Sequence, residues 1–249
     1  MRLAIKFAYD GRNFHGYARQ PNLKTVEGEL IKQLMDQDLI EDAKTSCLRM
    51  ASRTDKGVSA LGNVAAFNTT PSEKNILKKL TNNKEIIVYG IKTVEPDFYP
   101  RYAKWRIYRY YLNKNNLDLN EAISIAEIFI GEHNFSNFAK IESDKNPVRT
   151  IDNITIKEKK DFFVIDFYAQ TFLWHQIRRI ISAIKKIEKR KTTKQQIIDA
   201  LNNPNKKVDL GLAQPEPLIL KDVIYDFEFD KSNQKKIKQL ETKIYKSLL

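Results

Sequence analysis

Between Ala51 and Phe67 the chain passes from clustered charge and turn formers into an apolar strand, and the remaining segments read as a frame around that run. Asp55 stands two residues after Arg53 and is followed by Lys56 and then Gly57, whose missing Cβ opens backbone angles closed to other residues. A loop of this composition presents a carboxylate. The two nearby cations favour its charged form at neutral pH, whether it serves as nucleophile, base or metal ligand. The same residues also describe a plain surface turn with a local Arg–Asp pair, and such a pair contributes little.

The chain's 249 residues suffice for one large domain or two of about half that size. Hydrophobic residues make up 42% and charged residues 30%, the balance of a globular protein, and the net charge of +12 favours a polyanionic partner through counterion release. A lysine-rich surface serving solubility has the same balance. Cys47 is the single cysteine, which excludes an internal disulfide and any multi-cysteine metal site. The chain opens on an alternating segment and has no run of 18 apolar residues, so a membrane span and secretion are not expected. The cytoplasm is the default location.

Leu3, Ile5, Phe7 and Tyr9 alternate along a strand that ends at Asp10-Gly11. The loop that follows, Arg12 to Pro21, mixes cations, aromatics and amides without a period. It suits stacking on bases and contacting phosphates through Arg12, Phe14 and Gln20, or it is a connection whose Phe14 and Tyr17 plug the core. Thr25 caps a helix from Val26 to about Leu39. Strands are expected over 63–69 and 86–94, and a helix from Pro71-Ser72 with Ile76, Leu77 and Leu80 apolar. The run Glu95 to Pro100 breaks this strand–helix alternation, which puts a boundary between domains 1–97 and 98–249.

From Arg101 to Leu112 arginines and Lys104 interleave with aromatics at strand spacing, so that Arg106, Tyr108 and Tyr110 face one way and Trp105, Ile107, Arg109 and Tyr111 the other. This is either a strand with one packed and one solvated face or a basic, aromatic wall of an RNA cleft. Leu119 to Ile130 reads as a helix stopped by Gly131, and 147–156 and 162–169 as strands. His133 has no ligand partner at metal spacing, so packing or hydrogen bonding is its expected use and no metal is expected. Phe172 to Ile184 is an apolar helix carrying Arg178 and Arg179, and a cation in such a helix needs a partner. Thr193 caps a short helix to Leu201. Glu216 to Tyr225 is the last strand, and Asn233 to Leu249 a lysine-rich terminal helix.

Arg53-Thr54-Asp55-Lys56-Gly57-Val58, followed by Ala60-Leu61-Gly62-Asn63-Val64, resembles the signature of the TruA family of tRNA pseudouridine synthases. Tyr9 to Gln20, the Arg106-Ile107-Tyr108-Arg109-Tyr110 strand, Glu132 to Phe138, Phe172 to Arg178 and Glu216 to Val223 resemble further segments of that family in the same order. Ser52 stands where Gly is usual, Ser59 where His is usual and Pro217 where Gly is usual, the pattern of a divergent or archaeal-like member. The resemblance implies an α+β fold of two similar halves with mixed, largely antiparallel sheets joined into one curved sheet around a basic cleft. It implies isomerisation of uridine to pseudouridine in the anticodon arm of tRNA, at positions 38–40, by a homodimer without a cofactor. Asp55 falls on the nucleophilic aspartate and Arg178 on the arginine that keeps it ionised. Arg53 then stabilises the flipped-out base, and Tyr108 and Leu218 sandwich it. Arg101, Lys104, Arg106 and Arg179 join Arg12, Phe14 and Gln20 as RNA contacts.

Two other chemistries fit parts of the pattern. A phosphatase forming an aspartyl phosphate needs further carboxylates near its nucleophile, and Asp55 has none close in sequence; there is no phosphate loop ending in Lys-Ser or Lys-Thr either. A non-catalytic RNA-binding protein would use the same basic and aromatic residues.

Overall fold

The computed structural model describes residues 1–70, 76, 79, 80, 83, 85–115, 117–143 and 145–249. The helix expected from Pro71 falls largely on residues outside that set. The chain divides into two compact units, Met1–Lys104 with Ile219–Leu249, and Trp105–Leu218. This corrects the boundary placed at residue 97: the break comes at Lys104, and the last segment returns to the first unit.

Long-range pairing is the reason for that return. In the first unit β1 (Arg2–Tyr9) lies between β3 (Ser59–Asn68) and β4 (Ile86–Val94), antiparallel to both. From Ile219 onward β10 (Leu218–Ile224) runs parallel to β3, with Ile219 opposite Ser59, and β11 (Asp230–Lys231) pairs with β4. β2 (Arg49–Met50) is a short addition to β3.

Leu3, Ile5, Phe7 and Tyr9 are all fully buried, as their alternation requires, and each such side chain contributes about 1.5–3 kcal/mol. The opposite face of β1 is buried too, including Arg2 and Lys6. Lys6 is compensated by an ion pair with Asp222 and a 3.2 Å hydrogen bond to the Val223 carbonyl, and Arg2 donates to the Phe98 carbonyl at 2.7 Å and to Asn68 Oδ1 at 3.0 Å. Buried charges persist where such partners exist.

α1 (Val26–Met35) starts at Thr25, whose hydroxyl accepts from the Gly28 amide, and buries Val26, Leu30, Ile31 and Leu34. The terminal helix α5 (Gln234–Lys246) packs through Leu240 and Ile244. Its Lys243 lies 3.6 Å from Asp10, which also accepts from Arg12 Nε at 2.8 Å and Nη2 at 2.6 Å. Burial alone would raise the Asp10 carboxyl, but the Arg12 hydrogen bonds and charge outweigh it and hold the group below the usual carboxylate range. A carboxyl depressed in the folded state stabilises fully above its unfolded value of about 4, and that stability is lost as pH falls through the folded value. Asp10→Asn is therefore expected to lower the urea midpoint at pH 7 by the equivalent of about 1–3 kcal/mol, with the gap closing toward pH 3. A gap independent of pH would remove the charge from the explanation.

The second unit is built on β9 (Phe162–Ala169), antiparallel to β5 (Trp105–Asn113) and β8 (Asn153–Glu158). β6 (Gly131–Asn134) and β7 (Val148–Ile151) form a separate hairpin, so the strand expected from residue 147 to 156 is broken at Asp152. α2 (Leu119–Ala126) is capped by Asp118 and continues as a 3-10 turn to Phe129. α3 (Gln176–Glu188) begins later than the apolar run that opens at Phe172, because His175 adopts a left-handed conformation, φ 65°, just before it. α4 (Lys194–Asn202) has the reciprocal Thr193–Gln196 capping box. Both units are mixed α and β with largely antiparallel sheets. No helix among the described residues is long and apolar enough to cross a membrane.

Candidate active site

In the first unit Asp55 sits on a tight turn immediately ahead of β3, closed by a 3.1 Å hydrogen bond from the Val58 amide to the Asp55 carbonyl. Gly57 holds φ +86°, the left-handed angle that this turn requires and that other residues adopt at a cost. Asp55 is half-buried, while Arg53 and Lys56 are exposed.

The backbone around Asp55 is pinned from several sides. The Tyr17 amide donates to the Thr54 carbonyl at 3.2 Å, Asn63 Nδ2 to the Ser52 carbonyl at 3.0 Å, and the Ala51 amide to the Val64 carbonyl at 2.8 Å. Tyr9, fully buried, shares a 2.8 Å hydrogen bond with the Thr54 hydroxyl. Ser59, at the position where the family commonly has histidine, uses its hydroxyl to accept from the Gly11 amide at 3.0 Å. A Cβ on Gly11 would lie 2.1 Å from the Val58 carbonyl oxygen, so the turn after β1 and the Asp55 turn are packed backbone against backbone. These contacts fix the backbone that carries Asp55.

None of these supports is visible in the Arg53–Val58 motif itself. The signal was a polar side chain where the pattern wanted an apolar one: Asn63 and Ser59 are at most 1% exposed inside an apolar strand. Tyr9→Phe leaves the buried Thr54 hydroxyl without this partner, an expected cost of about 1–3 kcal/mol. Turnover is expected to fall about tenfold or more through misplacement of the loop, with RNA affinity unchanged. Urea unfolding and single-turnover rates measure the two effects, and wild-type turnover at reduced stability would take Tyr9 out of the positioning role.

The loop after β1 divides differently from expectation. Phe14 is 2% exposed and Tyr17 1%, with Tyr9–Phe14 and Tyr9–Tyr17 ring centroids 6.1 and 6.2 Å apart. Phe14 therefore belongs to the core, and the reading of it as a base-stacking residue is corrected. Its ring has no open face, because the aromatic cluster buries more apolar area than a surface position would. Arg12 is turned to Asp10, and Gln20 donates to the His15 carbonyl at 3.0 Å on the exposed side of the loop.

In the second unit Tyr108 is buried on β5, its ring edge-on to Phe172 at 5.3 Å between centroids. Two arginines of this strand are engaged within the unit. Arg106 is 6% exposed and donates to the Gln170 carbonyl, which corrects its reading as a surface RNA contact. Arg109 forms a two-pronged pair with Asp166 on β9, at 2.7 and 2.8 Å. The wall of cations expected on both faces of β5 is thus partly taken up inside the unit, Arg106 by a backbone carbonyl and Arg109 by a carboxylate, as buried and half-buried guanidinium groups require. Arg101 and Lys104 of the first unit remain exposed.

Arg178 lies in the first turn of α3, buried, with Nε donating to the Ala213 carbonyl at 2.8 Å while its own carbonyl accepts from the Ala213 amide at 3.1 Å. The 211–218 segment is held in the same way: Tyr110 hydroxyl donates to the Gln214 carbonyl at 3.2 Å, Tyr111 amide to the Pro217 carbonyl at 3.1 Å, and Leu218 amide to the Pro215 carbonyl at 2.9 Å. Leu218 is 6% exposed. Arg179 is half-buried, one position further along α3. His133 binds the Ile130 carbonyl through Nε2 at 3.0 Å, a hydrogen-bonding use. The structure thus places Asp55 and Arg53 in one unit, and Tyr108, Arg178 and Leu218 in the other.

Residues 125–226 match the family model described as tRNA pseudouridine synthase. The chain is 43% identical over 246 residues to the tRNA pseudouridine synthase A of Thermococcus sibiricus, spanning 96% of this chain and 91% of that protein. It is 36% identical over 246 residues to its counterpart in Pyrococcus furiosus, spanning 96% and 90%, and 38% identical over 246 residues to that of Methanobrevibacter smithii, spanning 90% and 83%. With an Asp-bearing turn braced at the head of β3 and similarity along nearly its whole length, the chain belongs to the TruA family of tRNA pseudouridine synthases.

Proposed function

We propose that this protein isomerises uridine to pseudouridine in the anticodon arm of tRNA, with Asp55 as the acting carboxylate. The observation that carries the reading is the Asp55 turn, half-open to solvent, with the flanking Thr54 and Ser52 held by hydrogen bonds shared with Tyr9 and donated by Tyr17 and Asn63, in a chain of this family. The reaction breaks the bond from N1 to C1′, turns the base and joins C5 to C1′; the proton leaves C5 and N1 gains one, so product and substrate are isomers. A stacked uridine must first leave its helix.

In this reading Asp55 adds to the ribose or removes its proton, Arg178 keeps the carboxylate ionised, and Arg53 stabilises the flipped-out nucleotide. Tyr108 and Leu218 contact the base. Arg12, Gln20, Arg101, Lys104 and Arg179 supply phosphate and sugar contacts, which suits the net charge of +12. Phe14 and Arg106 act from the interior. The reading includes a cytoplasmic homodimer, and sedimentation of the purified chain tests the dimer.

Incubating the protein with an unmodified tRNA transcript, without metal or nucleotide, and mapping pseudouridine chemically tests the substrate. Product at positions 38–40 is expected. Product confined to another arm would overturn the anticodon assignment, and binding without product would favour a non-catalytic RNA-binding protein.

A further inference from the structure

The segment leading into α3 carries an aromatic side chain that the fold does not bury. Trp174 is 43% exposed, although its neighbours Gln176 and Ile177 are 1% and 4% exposed. Burying an indole is strongly favourable, so a fixed and open one points to use rather than packing.

Its backbone is held from both sides. The Lys140 amide donates to the Trp174 carbonyl at 2.8 Å in an isolated antiparallel bridge. Gln176, buried one turn below, accepts from the Leu173 amide through Oε1 at 2.8 Å, and the left-handed His175 completes the turn into the helix. A ring presented in this way loses little freedom when something docks on it.

The charges around the ring select what docks. Lys140 Nζ stands 4.1 Å from the indole centroid, over one face. The His175 ring is tilted 5.0 Å away. Arg179 follows one turn after His175, its amide bonded to the His175 carbonyl at 2.9 Å; the side chain is half-buried, with its Nε enclosed and without a hydrogen-bond partner among the described residues, which leaves the outer guanidinium nitrogens for a ligand. A ring already carrying one cation, on a segment followed by Arg179 in the first turn of α3, repels a cationic ligand. A planar neutral base linked to a phosphate meets both demands: the base stacks, and the phosphate takes the cations.

We propose that the Trp174 indole, backed by Lys140, is a stacking platform for an unpaired base of the RNA substrate, whose adjoining phosphate is taken by Arg179. The proposal rests on RNA being the substrate and adds a binding position outside the residues assigned to the reacting uridine. Trp174 positions RNA and takes no part in bond breaking.

The test compares wild type with Trp174→Ala, Trp174→Leu and Trp174→Phe for affinity toward an unmodified tRNA transcript and for kcat and KM of pseudouridine formation. Ala and Leu variants are expected to raise Kd and KM about tenfold while kcat at saturating tRNA stays within about twofold, and Phe is expected to restore most of the affinity. Leu fills similar space without a π face, so Leu equal to wild type overturns stacking. Equal loss in Leu and Phe also overturns it. Should the Ala and Leu variants fail to fold, hydroxyl-radical footprinting of the wild-type protein replaces them: Trp174 is expected to be protected when tRNA is bound. Unchanged labelling of Trp174 at saturating tRNA overturns the platform, and protection on raising protein concentration without RNA assigns the indole to a contact between copies instead. Wild-type turnover alongside an unaffected Trp174→Ala variant refutes the platform alone; absence of tRNA binding by the wild type refutes the substrate reading and the platform with it.

Discussion

Asp55→Asn is expected to abolish pseudouridine formation, lowering single-turnover rates by about three orders of magnitude or more, while tRNA affinity stays near wild type. The amide keeps the size of the carboxylate and loses both its charge and its capacity as nucleophile or base. The bond that closes the turn does not use the carboxylate: the Val58 amide donates to the Asp55 backbone carbonyl at 3.1 Å, and Gly57 supplies the φ of +86°. The substitution thus separates chemistry from folding. A retained rate within tenfold of wild type would remove Asp55 from the reaction, and a parallel loss of tRNA binding and thermal stability would make it a structural residue.

Gly11→Ala is expected to have the largest effect on stability. The added Cβ would come within 2.1 Å of the Val58 oxygen, 2.4 Å of the Val58 carbonyl carbon and 2.9 Å of the Ser59 nitrogen. All three are backbone atoms of the turn and of β3, so no side chain can swing aside. Relief requires the turn after β1 to separate from the Asp55 loop, breaking the 3.0 Å bond from the Gly11 amide to Ser59. The expected cost is about 3 kcal/mol, near the upper end for overpacking, or roughly 10 °C in melting temperature for a chain of this size. Turnover should fall along with stability, because the displaced backbone carries Asp55. Thermal melts and turnover of the variant check both; a melting temperature within 2 °C of wild type would mean the two loops are not rigidly apposed.

The readable parts of this fold are those set by neighbours in sequence. Thr25 and Thr193 cap their helices as their side chains allow, and the β1, β4 and β9 boundaries follow from alternation and flanking turns. The Asp55 turn was legible because Gly57 and the charged residues around it are contiguous. What escaped was set by partners distant in the chain. Residues 219–249 rejoin the first unit because Ile219 and Leu220 pair with Ser59 and Ala60, a match with no local mark. β3 begins at Ser59 rather than Asn63, because Ser59 and Ala60 already have a strand to pair with there. Phe14 sits in a loop without period, where composition fits base contact and core packing equally, and packing against Tyr9 decided it. Arg106 and Arg109 read as surface cations until their partners, the Gln170 carbonyl and Asp166, are placed across the sheet.

Pseudouridine formation exchanges the hydrogen on C5 for a bond to C1′, so a tRNA transcript labelled with tritium at uridine C5 reports the reaction directly. The wild-type protein is expected to release tritium to solvent in the stoichiometry of the pseudouridine mapped on the same transcript, and Asp55→Asn to release none above background. Wild-type protein that binds the transcript tightly and releases no tritium would contradict catalysis by this chain.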